Sequence, residues 1–196
     1  MTEPTTRQKA ELRSRLIESR TLLQPQLRRH ANRRICAHLL RLVDERDCLD
    51  IAAFLPFRGE PDLVPALEAL SEGGRRIWLP VVDDKAMRFH RWQPGQQLRT
   101  NRFGIPEPTN PSECDPEDLE LVLLPLVAFS GAGTRLGLGA GFYDRTFGFT
   151  CDSPEARPQM IGAAYTLQEV DSLPRDPWDV PLDGVITERG LQIFGA

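Results

Sequence analysis

With 196 residues and 40% hydrophobic side chains, the chain carries enough apolar surface to bury a core over most of its length, which excludes bulk disorder. Its 24 basic and 28 acidic residues leave a net charge of -4, so neither nucleic acid nor an anionic membrane is attracted to the surface as a whole. The longest apolar run, Leu121 to Phe129, is about half of a bilayer span, and residues 1–20 lack the apolar stretch of a secretory signal; the expectation is a soluble, cytoplasmic protein.

From Thr6 to about Leu23, apolar residues recur at helical spacing, with Leu12, Leu16 and Leu23 on one stripe. Pro25 suits the first turn of a second helix running to about Glu45, buried through Ile35, Leu39, Leu42 and Val43. Leu49 to Leu55 reads as a buried strand ending at Pro56. Asp62 to Leu70 reads as a helix closed by Gly73-Gly74, and Arg76 to Val81 as the next strand. Strand, helix and strand within some thirty residues make a βαβ unit, which implies neighbouring parallel strands. Met87 to Trp92 is a further short strand, and Pro94 to Pro116 an ordered loop containing Phe103-Gly104-Ile105-Pro106-Glu107-Pro108. Leu119 to Phe129 reads as a central strand. Beyond the glycine-rich segment 131–141, Phe142 to Phe147 is helical, and Met160 to Tyr165 and Gly184 to Thr187 are late strands. The fold class predicted is α/β: a single domain of residues 1–196, with a helical pair at 6–45 and a mainly parallel sheet flanked by helices at 49–196.

The four cysteines form no C-x-x-C pair and the three histidines form no triad or H-E-x-x-H, so zinc, redox and His-assisted nucleophilic chemistry lack support. The informative segment is Gly133-Thr134-Arg135-Leu136-Gly137-Leu138-Gly139-Ala140-Gly141-Phe142-Tyr143-Asp144-Arg145. Glycines there let backbone N–H groups approach a ligand closely, and a turn of this kind entering a helix makes an anion nest strengthened by the helix dipole. Arg135 and Arg145 add forked donors suited to phosphate, and Asp144 is a hard oxygen ligand for magnesium. A glycine-rich loop also serves as a tight connection, so both readings stand on the residues alone. Lys9 and Arg13, four apart, share a helix face where they either clamp a triphosphate or remain solvated. The loop after the first strand carries Phe57, Glu60 and Asp62 at the end of the sheet where ligands bind in open parallel folds, and Asp62 is also a fair helix cap.

The glycine segment resembles the signature of the 5-formyltetrahydrofolate cyclo-ligases (methenyltetrahydrofolate synthetases), G-x-R-L-G-x-G-x-G-Y-Y-D-R. The likeness extends in order through the Lys9-x-x-x-Arg13 helix, the acidic loop after the first strand, the Phe103 to Pro108 loop and the late Trp178-Asp179; Phe142 departs from the usual tyrosine. The resemblance implies an ATP- and Mg²⁺-dependent conversion of 5-formyltetrahydrofolate to 5,10-methenyltetrahydrofolate, in which the formyl oxygen is phosphorylated and N10 closes the ring. It implies ATP contacts at Lys9, Ala10, Glu11, Leu12 and Arg13 and at Arg135, Leu136, Gly137, Leu138, Gly139, Ala140, Gly141, Phe142 and Tyr143, with Arg135 and Arg145 catalytic. Folate falls to Phe57, to Glu60 or Asp62 (the offset from Phe57 favours Asp62), and to Leu138 through Phe142. Magnesium falls to Asp144 and Asp179, with Asp183 the less favoured substitute. A monomer with small-molecule partners is expected. The competing expectations are a non-catalytic module that binds nucleotide and folate, and an ATP-dependent kinase or ligase with another acceptor.

Overall fold

The computed structural model describes residues 6–84, 86–151 and 158–195. Helices α1 (Thr6–Thr21) and α2 (Pro25–Arg46) open the chain. Pro25 sits in the first turn of α2, where the missing N–H costs nothing, and Asp47 closes the helix in a left-handed conformation. Ile35, Leu39, Leu42 and Val43 are buried, as their spacing predicts.

The main sheet has eight strands, formed by β1 (Asp50–Ala52), β2 (Arg76–Asp83), β3 (Ala86–Trp92), β6 (Glu113–Cys114), β7 (Leu121–Pro125), β10 (Gln159–Ala163), β11 (Gly184–Thr187) and β12 (Gly190–Ile193). Their spatial order is β12-β11-β10-β7-β1-β2-β3-β6. The five inner strands from β11 to β2 run parallel, while β12, β3 and β6 pair antiparallel at the edges. Helix α3 (Val64–Glu72) makes the β1–β2 crossover expected of the βαβ unit. Because the chain moves from β1 outward to β2 and later resumes on the other side at β7, the order reverses between β1 and β7. Open parallel sheets bind ligands beyond the carboxyl ends of their strands at such a reversal.

Both sheet faces are covered, so the inner strands are apolar on each side. Leu121 and Leu123 of β7 pack with α2 and α3, while Val122 and Leu124 pack with Trp78, Phe147 and Met160 on the other face.

Several boundaries differ from the sequence reading. The first strand is shorter than Leu49–Leu55. The run Leu119–Phe129 is broken after Pro125, which has no N–H to continue the ladder; β8 (Ala128–Phe129) then turns away to pair with β9 (Arg135–Leu136). Helix α3 starts at Val64, where the Val64 N–H donates to Asp62 Oδ1 at 3.1 Å and Pro65 fills the first turn. The Pro94–Pro116 stretch holds a ribbon of β4 (Leu98–Thr100) and β5 (Pro106–Pro108) in addition to β6. Helix α4 (Phe142–Thr146) has only five residues, so its dipole adds little to an anion site.

Candidate active site

A cavity of about 740 Å³ opens at the carboxyl ends of β1 and β7. Its walls come from α1 (Lys9, Arg13), the loop after β1 (Phe57, Glu60), the 101–107 loop, the glycine segment and the 174–179 loop.

One wall is the run from Arg135 to Asp144, all of which lines the cavity. Gly139 (φ 103°) and Gly141 (φ 66°) take backbone conformations that a side chain would strain. Arg13 Nε donates to the Gly137 carbonyl at 2.8 Å, and its guanidinium lies where a Cβ on Gly139 would make contact. Lys9 Nζ reaches Asp176 Oδ2 at 3.1 Å. Two cations of α1 therefore line the cavity, Arg13 against the glycine segment and Lys9 against the 174–179 loop. Gly133 differs from the rest, because a Cβ there would stand 2.8 Å from the Leu182 carbonyl; it is a packing glycine.

Arg135 Nη2 donates to Asp144 Oδ1 at 2.6 Å, while Arg135 Nε is buried with no hydrogen-bond partner among the described residues. Arg135 lines the cavity, so its guanidinium supplies a positive charge to that wall. The Val180 N–H also donates to Asp144 Oδ1, at 3.2 Å, which fastens the 176–180 loop beside that carboxylate. Within the loop, Asp179 Oδ2 accepts from the Asp176 N–H at 2.9 Å. Asp144 and Asp179 thus enter one cavity as hard oxygen donors of the kind magnesium prefers.

The opposite wall is the turn 57–60, in which Arg58 (φ 47°) and Gly59 (φ 75°) are both left-handed. The turn brings Glu60 inward. Its side chain is 3% exposed, Oε1 lies 3.3 Å from Arg20 Nη2, and Oε2 accepts from the Phe57 N–H at 3.1 Å. Burial pushes this carboxyl up to about 7 against the opposing pull of Arg20 and the Phe57 N–H. Tyr143 faces it from α4. Its hydroxyl is buried without a hydrogen-bond partner among the described residues, and burial raises its ionisation above the ordinary phenol value.

The 101–107 loop roofs the cavity. Phe103 meets Phe142 edge to face with centroids 6.1 Å apart, and buried Glu107 takes hydrogen bonds from the Val82 N–H (2.8 Å) and Asn101 Nδ2 (2.7 Å). Phe142 makes this ring contact without the hydroxyl of a tyrosine.

Other expected residues lie elsewhere. Ala10 and Glu11 are exposed on α1, where Glu11 pairs with Arg7, and Leu12 packs inward; none of the three lines the cavity. Arg145 folds back, its Nη1 donating to the Ala140 carbonyl at 2.9 Å and its guanidinium lying 5.1 Å from the Phe142 ring centroid, so it buttresses the loop from outside. Asp62 stays at the start of α3, away from the cavity, because the Val64 N–H holds it there. Asp183 accepts from the Met160 N–H at 2.7 Å and ties the beginnings of β10 and β11 together. Sequence reasoning missed Arg20, Asn101 and Asp176. For Arg20 a signal existed, since it falls four residues after Leu16 on the apolar stripe of α1.

The sequence profile of the 5-formyltetrahydrofolate cyclo-ligase family matches residues 5–188. The 5-formyltetrahydrofolate cyclo-ligase of Haemophilus influenzae is 32% identical over 186 residues, covering 92% of this chain and 98% of its own. That of Escherichia coli is 38% identical over 146 residues, covering 70% and 76% respectively. Among solved structures, the Aquifex aeolicus 5,10-methenyltetrahydrofolate synthetase superposes with a TM-score of 0.81 at 31% identity, covering 94% of this chain and 92% of the other. A match over almost the whole chain, in sequence and in fold, places the protein in the 5-formyltetrahydrofolate cyclo-ligase family.

Proposed function

We propose that the protein converts 5-formyltetrahydrofolate to 5,10-methenyltetrahydrofolate with consumption of ATP in the presence of Mg²⁺. The observation that carries this reading is the meeting, in one cavity, of a glycine loop backed by Arg135 with its unpaired Nε and of a buried carboxylate wall at Glu60. The first suits phosphate oxygens and the second suits the N–H edge of a pterin.

The N5-formyl group is amide-like and a weak electrophile. Transfer of the γ-phosphoryl group breaks its bond to ADP and forms a bond to the formyl oxygen, which becomes a leaving group. The N10 lone pair then attacks the formyl carbon, phosphate departs with that oxygen, the N10 proton is lost, and the ring closes. No protein nucleophile is required, so the work is positioning and charge neutralisation. Gly137 to Gly141 offer backbone N–H groups to the nucleotide phosphates, and Arg135, Arg13 and Lys9 offer charge. Arg145 acts by bracing the loop. Glu60 and Phe57 hold the pterin, and the 101–107 loop with Phe142 excludes water.

Asp144 and Asp179 would hold magnesium, whose bound charge offsets that of the phosphates. With two carboxylates from the protein, phosphate and water would complete the ion's shell. The working state proposed is a monomer with small-molecule partners. A cytoplasmic setting agrees with four free cysteines.

The test is direct. Purified protein given 5-formyltetrahydrofolate, ATP and Mg²⁺ should generate the methenyl absorbance and ADP in equal amounts. Absence of product with both monoglutamyl and polyglutamyl substrates would refute the proposal, and ATP hydrolysis independent of folate would indicate a different acceptor.

A further inference from the structure

Arg20 lies on α1 where the apolar stripe calls for a leucine, and its side chain is completely buried. A buried guanidinium is costly unless its donors are satisfied. Here Nε donates to the Arg58 carbonyl at 2.9 Å and Nη1 to the Leu126 carbonyl at 2.9 Å. Nη2 reaches the Phe57 carbonyl at 3.4 Å and Glu60 Oε1 at 3.3 Å. Its acceptors belong to the two loops that leave the carboxyl ends of β1 and β7, on either side of the order reversal. Leu126 has a carbonyl to offer because the β7 ladder stops at Pro125.

The turn that Arg20 grips is the left-handed pair Arg58-Gly59, and a Cβ on Gly59 would stand 3.2 Å from Thr21 Cα. The turn is therefore pressed against the last residues of α1 and held there by the contacts of Arg20 with the Arg58 and Phe57 carbonyls. Glu60 follows directly. With Oε2 fixed by the Phe57 N–H and Oε1 by Arg20, the carboxylate is anchored through both oxygens in a residue that lines the cavity. Arg20 itself does not line the cavity, so it acts on a ligand only through other groups.

We infer that Arg20 is a positioning residue for folate: it clamps the β1 and β7 loops together and aims the Glu60 carboxylate at the pterin. The inference rests on the reading of Glu60 as the folate-facing acid. A double-mutant cycle over R20K, E60Q and the pair, with the KM for 5-formyltetrahydrofolate and for ATP measured separately, tests it. R20K keeps a charge but loses the fork. It should raise the folate KM roughly ten- to hundredfold, the loss of a charge-assisted hydrogen bond, and leave the ATP KM within about twofold. In the E60Q background the same change should alter the folate KM by less than about twofold, because the group it positions is already gone. Additive losses across the cycle, or equal losses in both KM values, would overturn the inference and leave Arg20 a structural residue. An unchanged folate KM in E60Q alone would remove the underlying reading of Glu60. If R20K does not fold, R20M takes its place, and failure of both to fold would also overturn the inference.

Discussion

Replacing Glu60 by glutamine removes a proton-binding group from the interior without changing its shape. The folded protein holds the Glu60 proton with a carboxyl at about 7, against 4.5 for an ordinary carboxyl, because the site is dry. A group whose folded value is raised contributes stability that is fully present below pH 4.5 and is lost as pH climbs through 7. The gap between the two values corresponds to about 3 kcal/mol. Glutamine has no such proton, so the stability of Glu60→Gln relative to the unsubstituted protein should rise by about 3 kcal/mol between pH 4.5 and pH 8. Urea unfolding followed by tryptophan fluorescence at pH 5, 6, 7 and 8 gives this difference directly. Two curves that stay parallel across the range would refute the reasoning. On this argument the variant gains on the unsubstituted protein as pH rises, while it loses the carboxylate proposed to hold folate.

Arg135→Ala removes both the partner of Asp144 and a cation lining the cavity; turnover should fall at least about a hundredfold with the fold retained, measured by product absorbance alongside circular dichroism. Asp179→Asn should raise the Mg²⁺ concentration needed for half-maximal rate, whereas Asp183→Asn should lower the melting temperature and leave the Mg²⁺ requirement unchanged. Gly162→Ala pushes a methyl to within 2.6 Å of Leu126 Cδ2 and 3.1 Å of Leu182 Cδ1 in the core, and should cost about 1–3 kcal/mol in urea unfolding. Its ATP KM should not change.

The helices and inner strands were legible because their patterns are local: the stripe through Ile35, Leu39 and Leu42 and the apolar run at Leu121 each show their period directly. The glycine segment was legible for the same reason, with its donors and glycines inside a dozen residues. What escaped the sequence depends on distant partners. Glu60 and Asp62 are two residues apart and alike in type, and only the left-handed turn at Arg58-Gly59 and the hydrogen bond from Val64 decide which of them faces the cavity. Asp179 and Asp183 are separated in the same way, by the strand start at Met160 that occupies Asp183. Arg145 looked equivalent to Arg135 by composition, yet on the five-residue α4 it turns back over Phe142. Arg20 left a trace as a charge on the apolar stripe of α1, but the carbonyls it grips, at Arg58 and Leu126, lie far along the chain.

Helix α1 touches both walls of the cavity, the glycine segment and the 57–60 turn. Arg13 stands by the glycine loop, and seven residues later Arg20 anchors the turn behind Phe57, about 10 Å farther along the axis. On the proposed assignment of the two walls, the helix is a rigid ruler that sets the spacing and angular phase between donor and acceptor substrates. A single alanine inserted between Arg13 and Arg20 would rotate one end against the other by about 100°, leaving no register in which nucleotide and folate are served together.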